Sequence, residues 1–155
     1  MTPDLSAALL APEYWLAVLI TVTLVGAAVV VHYEALLRLN LWIPHAATPA
    51  RLRILALIFG ILAAHAAEIW VFGAGIYAVV QLPALGSVQG AGAFKLLDAV
   101  YLSATTFTTL GYGDLVPRGP MRLLVGSEAL TGFVLITWSA SFTYLEMQRY
   151  WRPRA

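Results

Sequence analysis

Cysteine is absent from this chain and charge is nearly so. The missing cysteines exclude disulfides, thiolate metal sites and thiol catalysis. Charged residues make up 11% of the 155, where roughly a quarter is usual in a soluble domain, too few to cover the surface of a soluble domain this small. Nine Lys and Arg against eight Asp and Glu leave a net charge of +1 with no basic run, which disfavours nucleic acid as a partner. No Lys or Arg precedes Arg38, so the first apolar stretch lacks the positive flank of a secretory signal and is expected to be a retained helix. No span carries arginines at three-residue spacing, which excludes a voltage sensor. Period-two alternation is missing as well, which removes the transmembrane barrel.

What is present is apolar: 61% of the residues. Three stretches reach the roughly 20 residues a bilayer requires. The first runs from Tyr14, free of charge through Val31 and extending toward Leu39; the second runs from Ile54 to Val80; the third runs from about Pro120 to Met147. Between the first two, Pro44 and Pro49 break any helix. Residues 81–92 are rich in Gly, Pro and Ala and predict a flexible loop. Residues 93–107 are apolar but too short to cross, the length of a re-entrant half-helix. The expected architecture is an all-α integral membrane protein with three transmembrane helices and one re-entrant half-helix. Its parts are an N-terminal helix and loop (1–53), a pore-like unit (54–147, with helices at 54–80, 93–107 and 120–147) and a short tail (148–155). Arg38, Arg51, Arg53, Arg149, Arg152 and Arg154 fall on one side of this layout, which predicts a cytoplasmic C-terminus and an outside N-terminus, and Tyr14, Trp15, Tyr150 and Trp151 sit where interfacial aromatics belong.

After the half-helix comes Thr108-Thr109-Leu110-Gly111-Tyr112-Gly113-Asp114. Two glycines flank one tyrosine, so the backbone can alternate between left- and right-handed residues and point successive carbonyls the same way. Such a row is unfavourable to bury unless a cation replaces the missing donors, which is how a carbonyl-lined filter works. Residues 101–117 strongly resemble the pore loop of potassium channels. This chain has TLGYG, with Leu110 where the family commonly has Val, and Thr108, Asp114 and Pro117 also match. More loosely, the chain looks like small bacterial members of the two-transmembrane channel superfamily with an extra N-terminal helix.

The resemblance implies a homotetrameric, potassium-selective channel in the cell membrane, in contact with lipid, with no cofactor and no organic small-molecule substrate. Potassium would bind at the carbonyls of Thr109, Leu110, Gly111 and Tyr112 and the Thr109 hydroxyl, with Gly113 completing the filter. Tyr112 would point away from the axis and brace the filter against the half-helix, and Thr108 and Asp114 would support the outer mouth. Thr105 stands where many members carry a Glu paired with the Asp, so the Asp114 brace is expected to differ. Val134, Thr137, Ser141 and Leu145 share one helical face and are expected to line a cavity below the filter. Gly132 reads equally as a hinge or as a close-packing contact.

His65 and Glu68, at i and i+3, share a face in the second span. They read as a structural pair tied to Glu128, Ser139 or Trp138, with pH sensing or metal binding as alternatives. Glu128 reads as structural. His32 and Glu34 read as solvated, near the cytoplasmic end of the first span. Two other functions remain open: a weakly selective or non-conducting accessory pore subunit, and a metal or haem protein using His32, His65 and Glu68. The last requires the two histidines at one depth, and residue counting sets them apart.

Overall fold

The computed structural model describes residues 11–42, 49–90 and 92–151. Pro44, the first ten residues and residues 152–155 lie outside the described residues, as do the side chains of Tyr150 and Trp151. Four α-helices carry the fold: α1 (Pro12–Trp42), α2 (Ala50–Val80), α3 (Leu96–Phe107) and α4 (Arg122–Trp151). Three of them are long and apolar enough to cross a membrane, and α3 is the short apolar one.

Local chemistry sets the ends. Pro12 opens α1, where its missing N–H is no loss, and Glu13 complements the positive end of the helix dipole. Pro49 precedes α2 in an extended conformation. The Lys95 backbone N–H donates to Asp98 Oδ2 at 2.7 Å, capping α3.

The connection after α2 is more ordered than its composition predicts. Pro83–Leu85 form a 3-10 turn, and Ser87–Gln89 (β1) pair antiparallel with Val116–Arg118 (β2). Arg118 Nε donates to Gln89 Oε1 at 3.0 Å across this ribbon. The segment expected to be a flexible loop thus holds a short turn and one strand of a small β-ribbon, and the rest of the described fold is helical, as expected. The ribbon's cause is pairing between segments about 30 residues apart, which local composition does not encode.

α1 and α2 pack side by side, and α3 lies between α2 and α4. Phe72, Ile76, Ala99, Leu102, Phe107, Leu124 and Leu135 form the centre of the core. Outward-facing Leu19, Val22, Val30, Phe59 and Leu62 leave an apolar exterior suited to lipid. The Met121 backbone N–H donates to Leu85 O at 2.8 Å, joining the exit of α2 to the start of α4 at the ribbon end. The Arg53–Glu146 pair joins α2 to α4 at the opposite end.

Candidate functional site: a filter-like loop backed by three polar ties

The segment after α3 is shaped by its backbone. Thr109, Gly111 and Gly113 have φ of 58°, 52° and 80°, and Thr109 is the one non-glycine residue with positive φ among the described residues. Leu110 and Tyr112 lie between them with ordinary φ, so left-handed and ordinary residues alternate along the loop. A β-branched residue in the left-handed region is strained by roughly 1–3 kcal/mol, and Thr109 is held there by its neighbours. The Thr109 N–H donates to Thr106 O at 2.8 Å, and the Gly111 N–H donates to Thr105 O at 3.0 Å. Thr105 thus supports the loop through its carbonyl, while its hydroxyl donates to Leu102 O. The Thr108 hydroxyl donates to Ala104 O at 2.7 Å, closing the helix end.

Asp114 accepts a hydrogen bond from the Tyr101 hydroxyl at 2.9 Å. This residue of α3 was not picked out from sequence. Asp114 thus has its partner on α3 at Tyr101, whereas the Thr105 hydroxyl bonds within its own helix, and the bond to the carboxylate raises the Tyr101 phenol above its ordinary pKa. Leu110 and Tyr112 are 57% and 67% exposed in the single chain, so Tyr112 is not packed away against its own half-helix.

α4 has two opposed faces. Leu124, Glu128, Thr131, Leu135, Ser139 and Glu146 are buried against the rest of the chain. Val134, Thr137, Ser141 and Leu145 are all exposed on the other side. The Thr137 and Ser141 hydroxyls donate to carbonyls of their own helix, Ser141 to Thr137 O at 3.0 Å. Gly132 sits where α4 meets the end of α3: a Cβ there would lie 2.1 Å from Phe107 O. That geometry is a close-packing contact.

Three polar ties run along the buried face of α4. Near the loop, the Ser103 hydroxyl on α3 bonds Glu128 Oε1 and also lies 2.9 Å from Ile69 O. One proton serves two acceptors, and Glu128 Oε2 is buried without a hydrogen-bond partner. In the middle, His32 and His65 both direct Nδ1 at the Glu68 carboxylate, each at 2.9 Å, one to each oxygen. The Ser139 hydroxyl lies 3.4 Å from His32 Nε2. The two rings stack with centroids 5.4 Å apart, His32 also meets Trp138, and His65 meets Phe107. At the far end, Arg53 donates through Nε and Nη2 to Glu146 Oε2 at 3.2 and 3.0 Å.

Two expectations are corrected here. His32 is fully buried, not solvated, and it stands at the depth of His65. The reason is helix length: α1 continues to Trp42, so His32 lies about 15 Å from its end rather than about 10 Å. Periodicity held the signal, because Ala17, Thr21, Ala28, His32 and Leu36 fall on one helical face and all are buried. Arg53 is also fully buried within α2 rather than lying in a loop. Glu34 stays outside, paired with Arg38 at 3.3 Å.

A family model described as an ion channel matches residues 52–148, from the start of α2 through nearly all of α4. The inward rectifier potassium channel Kirbac3.1 of Paramagnetospirillum magnetotacticum is 35% identical over 81 residues, 52% of this chain and 26% of that protein. Protein LctB of Geobacillus stearothermophilus is 38% identical over 56 residues, 36% of this chain and 42% of that protein. The chain thus matches about a quarter of the first relative's length and about two fifths of the second's. No solved structure matches. With the family model covering more than half of its residues, the chain belongs to the ion channel family and is an integral membrane protein rather than an enzyme.

Proposed function

We propose that this chain forms a homotetrameric, potassium-selective pore in the cell membrane, with residues 108–114 as its filter. The observation that carries the reading is the alternation of φ at Thr109, Gly111 and Gly113. Alternation of this kind would align the carbonyls of Thr109, Leu110, Gly111 and Tyr112, and aligned carbonyls substitute for the hydration shell of a potassium ion. One chain supplies one loop, and a ring around an ion requires four. The exposed Leu110, Tyr112, Phe133 and Val134 are the surfaces such an assembly would cover. α3 would act as the pore helix, turning the negative end of its dipole toward the ion path. Asp114 would concentrate cations at the mouth, and Thr137 and Ser141 would present hydroxyl oxygens to the water-filled cavity. The end carrying Arg53 and Arg149 is assigned to the cytoplasm, and the ribbon end to the outside. The names of the matched potassium channel and the filter sequence TLGYG support potassium as the permeant ion.

Flux into liposomes containing purified chain tests this. Potassium is expected to pass far faster than sodium, and barium to block. Equal sodium and potassium flux would leave a weakly selective cation pore, and no flux from verified tetramers would favour an accessory subunit.

A further inference from the structure

We propose that His32, His65 and Glu68 form a binding site for a divalent transition cation of the zinc type, set between α1 and α2 and separate from the ion path. Their donor atoms all lie within 4.8 Å of one another, and among the described residues this is the one such group of three. Two imidazoles and one carboxylate are a donor set that zinc takes at about 2.0–2.2 Å, leaving a fourth position for water. The hard cations Mg²⁺ and Ca²⁺ prefer oxygen throughout.

Each contact has ordinary hydrogen-bond length; what the cluster adds is the convergence of two rings on one carboxylate. Both rings present the same atom, Nδ1, to one carboxylate, and each sits 2.9 Å from a different oxygen. Tetrahedral zinc sets its donors about 3.3 Å apart, so each Nδ1–oxygen spacing of 2.9 Å must widen by about 0.4 Å to admit the ion. In the metal-bound form each neutral ring offers the Nδ1 lone pair and carries its proton on Nε2. For His32 that Nε2–H meets the Ser139 hydroxyl oxygen, 3.4 Å away. A polar partner on the far ring nitrogen is the usual outer support of a metal-ligating histidine.

A cavity borders the cluster on its His65 side. His65 and Ser139 line an open cavity of about 460 Å³ between α2 and α4, together with Leu62, Ile136 and Thr143. The His65 side chain remains 15% exposed, while His32 and Glu68 are fully enclosed. The ion would enter from the His65 side, and the fourth coordination position would face the cavity.

The test uses tag-free full-length chain, purified with chelator and returned to chelator-free detergent. Titration with Co²⁺ is expected to give a visible d–d spectrum of tetrahedral intensity, saturating at one ion per chain and displaced by Zn²⁺. Glu68→Gln and His65→Asn are expected to abolish the spectrum, and Ser139→Ala to weaken affinity about tenfold. Circular dichroism and size exclusion verify that each variant is folded. X-ray absorption of the wild-type zinc form decides the matter without any variant. Scattering from two imidazoles supports the site, whereas an oxygen-only shell overturns it, as does a wild-type chain that takes up no metal at micromolar concentration. An unchanged cobalt spectrum in folded Glu68→Gln overturns it too. Conduction is not a readout, so the pore reading stands or falls separately.

Discussion

Replacing Gly132 with alanine adds a single methyl group at the contact between α4 and the end of α3. That Cβ would lie 2.1 Å from Phe107 O and 2.8 Å from both Phe107 C and Phe107 Cγ. An aliphatic carbon approaches a carbonyl oxygen no closer than about 3.3 Å, so the backbone at Phe107 must retreat by about 1.2 Å. Backbone cannot rotate aside as a side-chain tip does, and Phe107 is fully buried against Phe72 and His65. Overpacking of this kind destabilises by about 1–3 kcal/mol, and a backbone clash belongs at the upper end. For a chain of this size, about 3 kcal/mol lowers the melting temperature by about 6–12 °C. Phe107 leads directly into Thr108 and Thr109, so the displacement also reaches the proposed filter, and potassium flux is expected to fall. Gly126→Ala is the control: it lies on the same helix with nothing within 4 Å of its Cβ position. There alanine should be neutral or should stabilise by about 0.5–1 kcal/mol through helix propensity. Thermal denaturation in detergent and liposome flux are measured on both. Gly132→Ala matching Gly126→Ala in stability and flux would refute the close approach of α3 to α4.

Two further outcomes follow from the side-chain pairs Tyr101–Asp114 and Arg53–Glu146. Tyr101→Phe removes the donor to Asp114 and leaves the fold intact; potassium currents in planar bilayers should decline faster during sustained conduction, and an unchanged time course would show that Asp114 needs no brace. Arg53→Met breaks a buried ion pair and should destabilise, by less than the roughly 3–5 kcal/mol of a wholly unpaired buried charge, because Arg149 still reaches Glu146. The double variant Arg53→Met/Glu146→Leu should recover most of that loss in a thermal melt, and failure to recover would mean that the arginine acts through other contacts.

The backbone of the 108–114 loop was legible in part because its constraint is written in residue type: only glycine takes positive φ freely, so Gly111 and Gly113 declare their conformation, whereas Thr109 does not. The three long helices were legible from length and apolar content. The exposed hydroxyl face of α4 was legible from spacing alone. Partners far apart in sequence were not. Tyr101 meets Asp114 across 13 residues, His32 meets Glu68 across 36 and Arg53 meets Glu146 across 93. The depth of His32 depended on where α1 stops, and a helix terminus near a proline-containing loop is poorly marked when apolar Leu41, Trp42 and Ile43 stand before the proline. The β-ribbon left no local signal, since Ser87–Gln89 pairs through its backbone with a strand that contains Pro117.

The buried stripe on α4 also has a mechanical meaning. Glu128, Ser139 and Glu146 face three different helices from one side of the same rod: Ser103 of α3, His32 of α1 and Arg53 of α2. Turning that rod about its own axis would tear all three attachments at once. Swinging its C-terminal end sideways strains just the last one, which lies about 10 Å beyond Ser139. α4 is therefore fastened at three points along one face, and the Arg53–Glu146 pair, nearest its C-terminal end, is the attachment whose loss would free the longest lever arm.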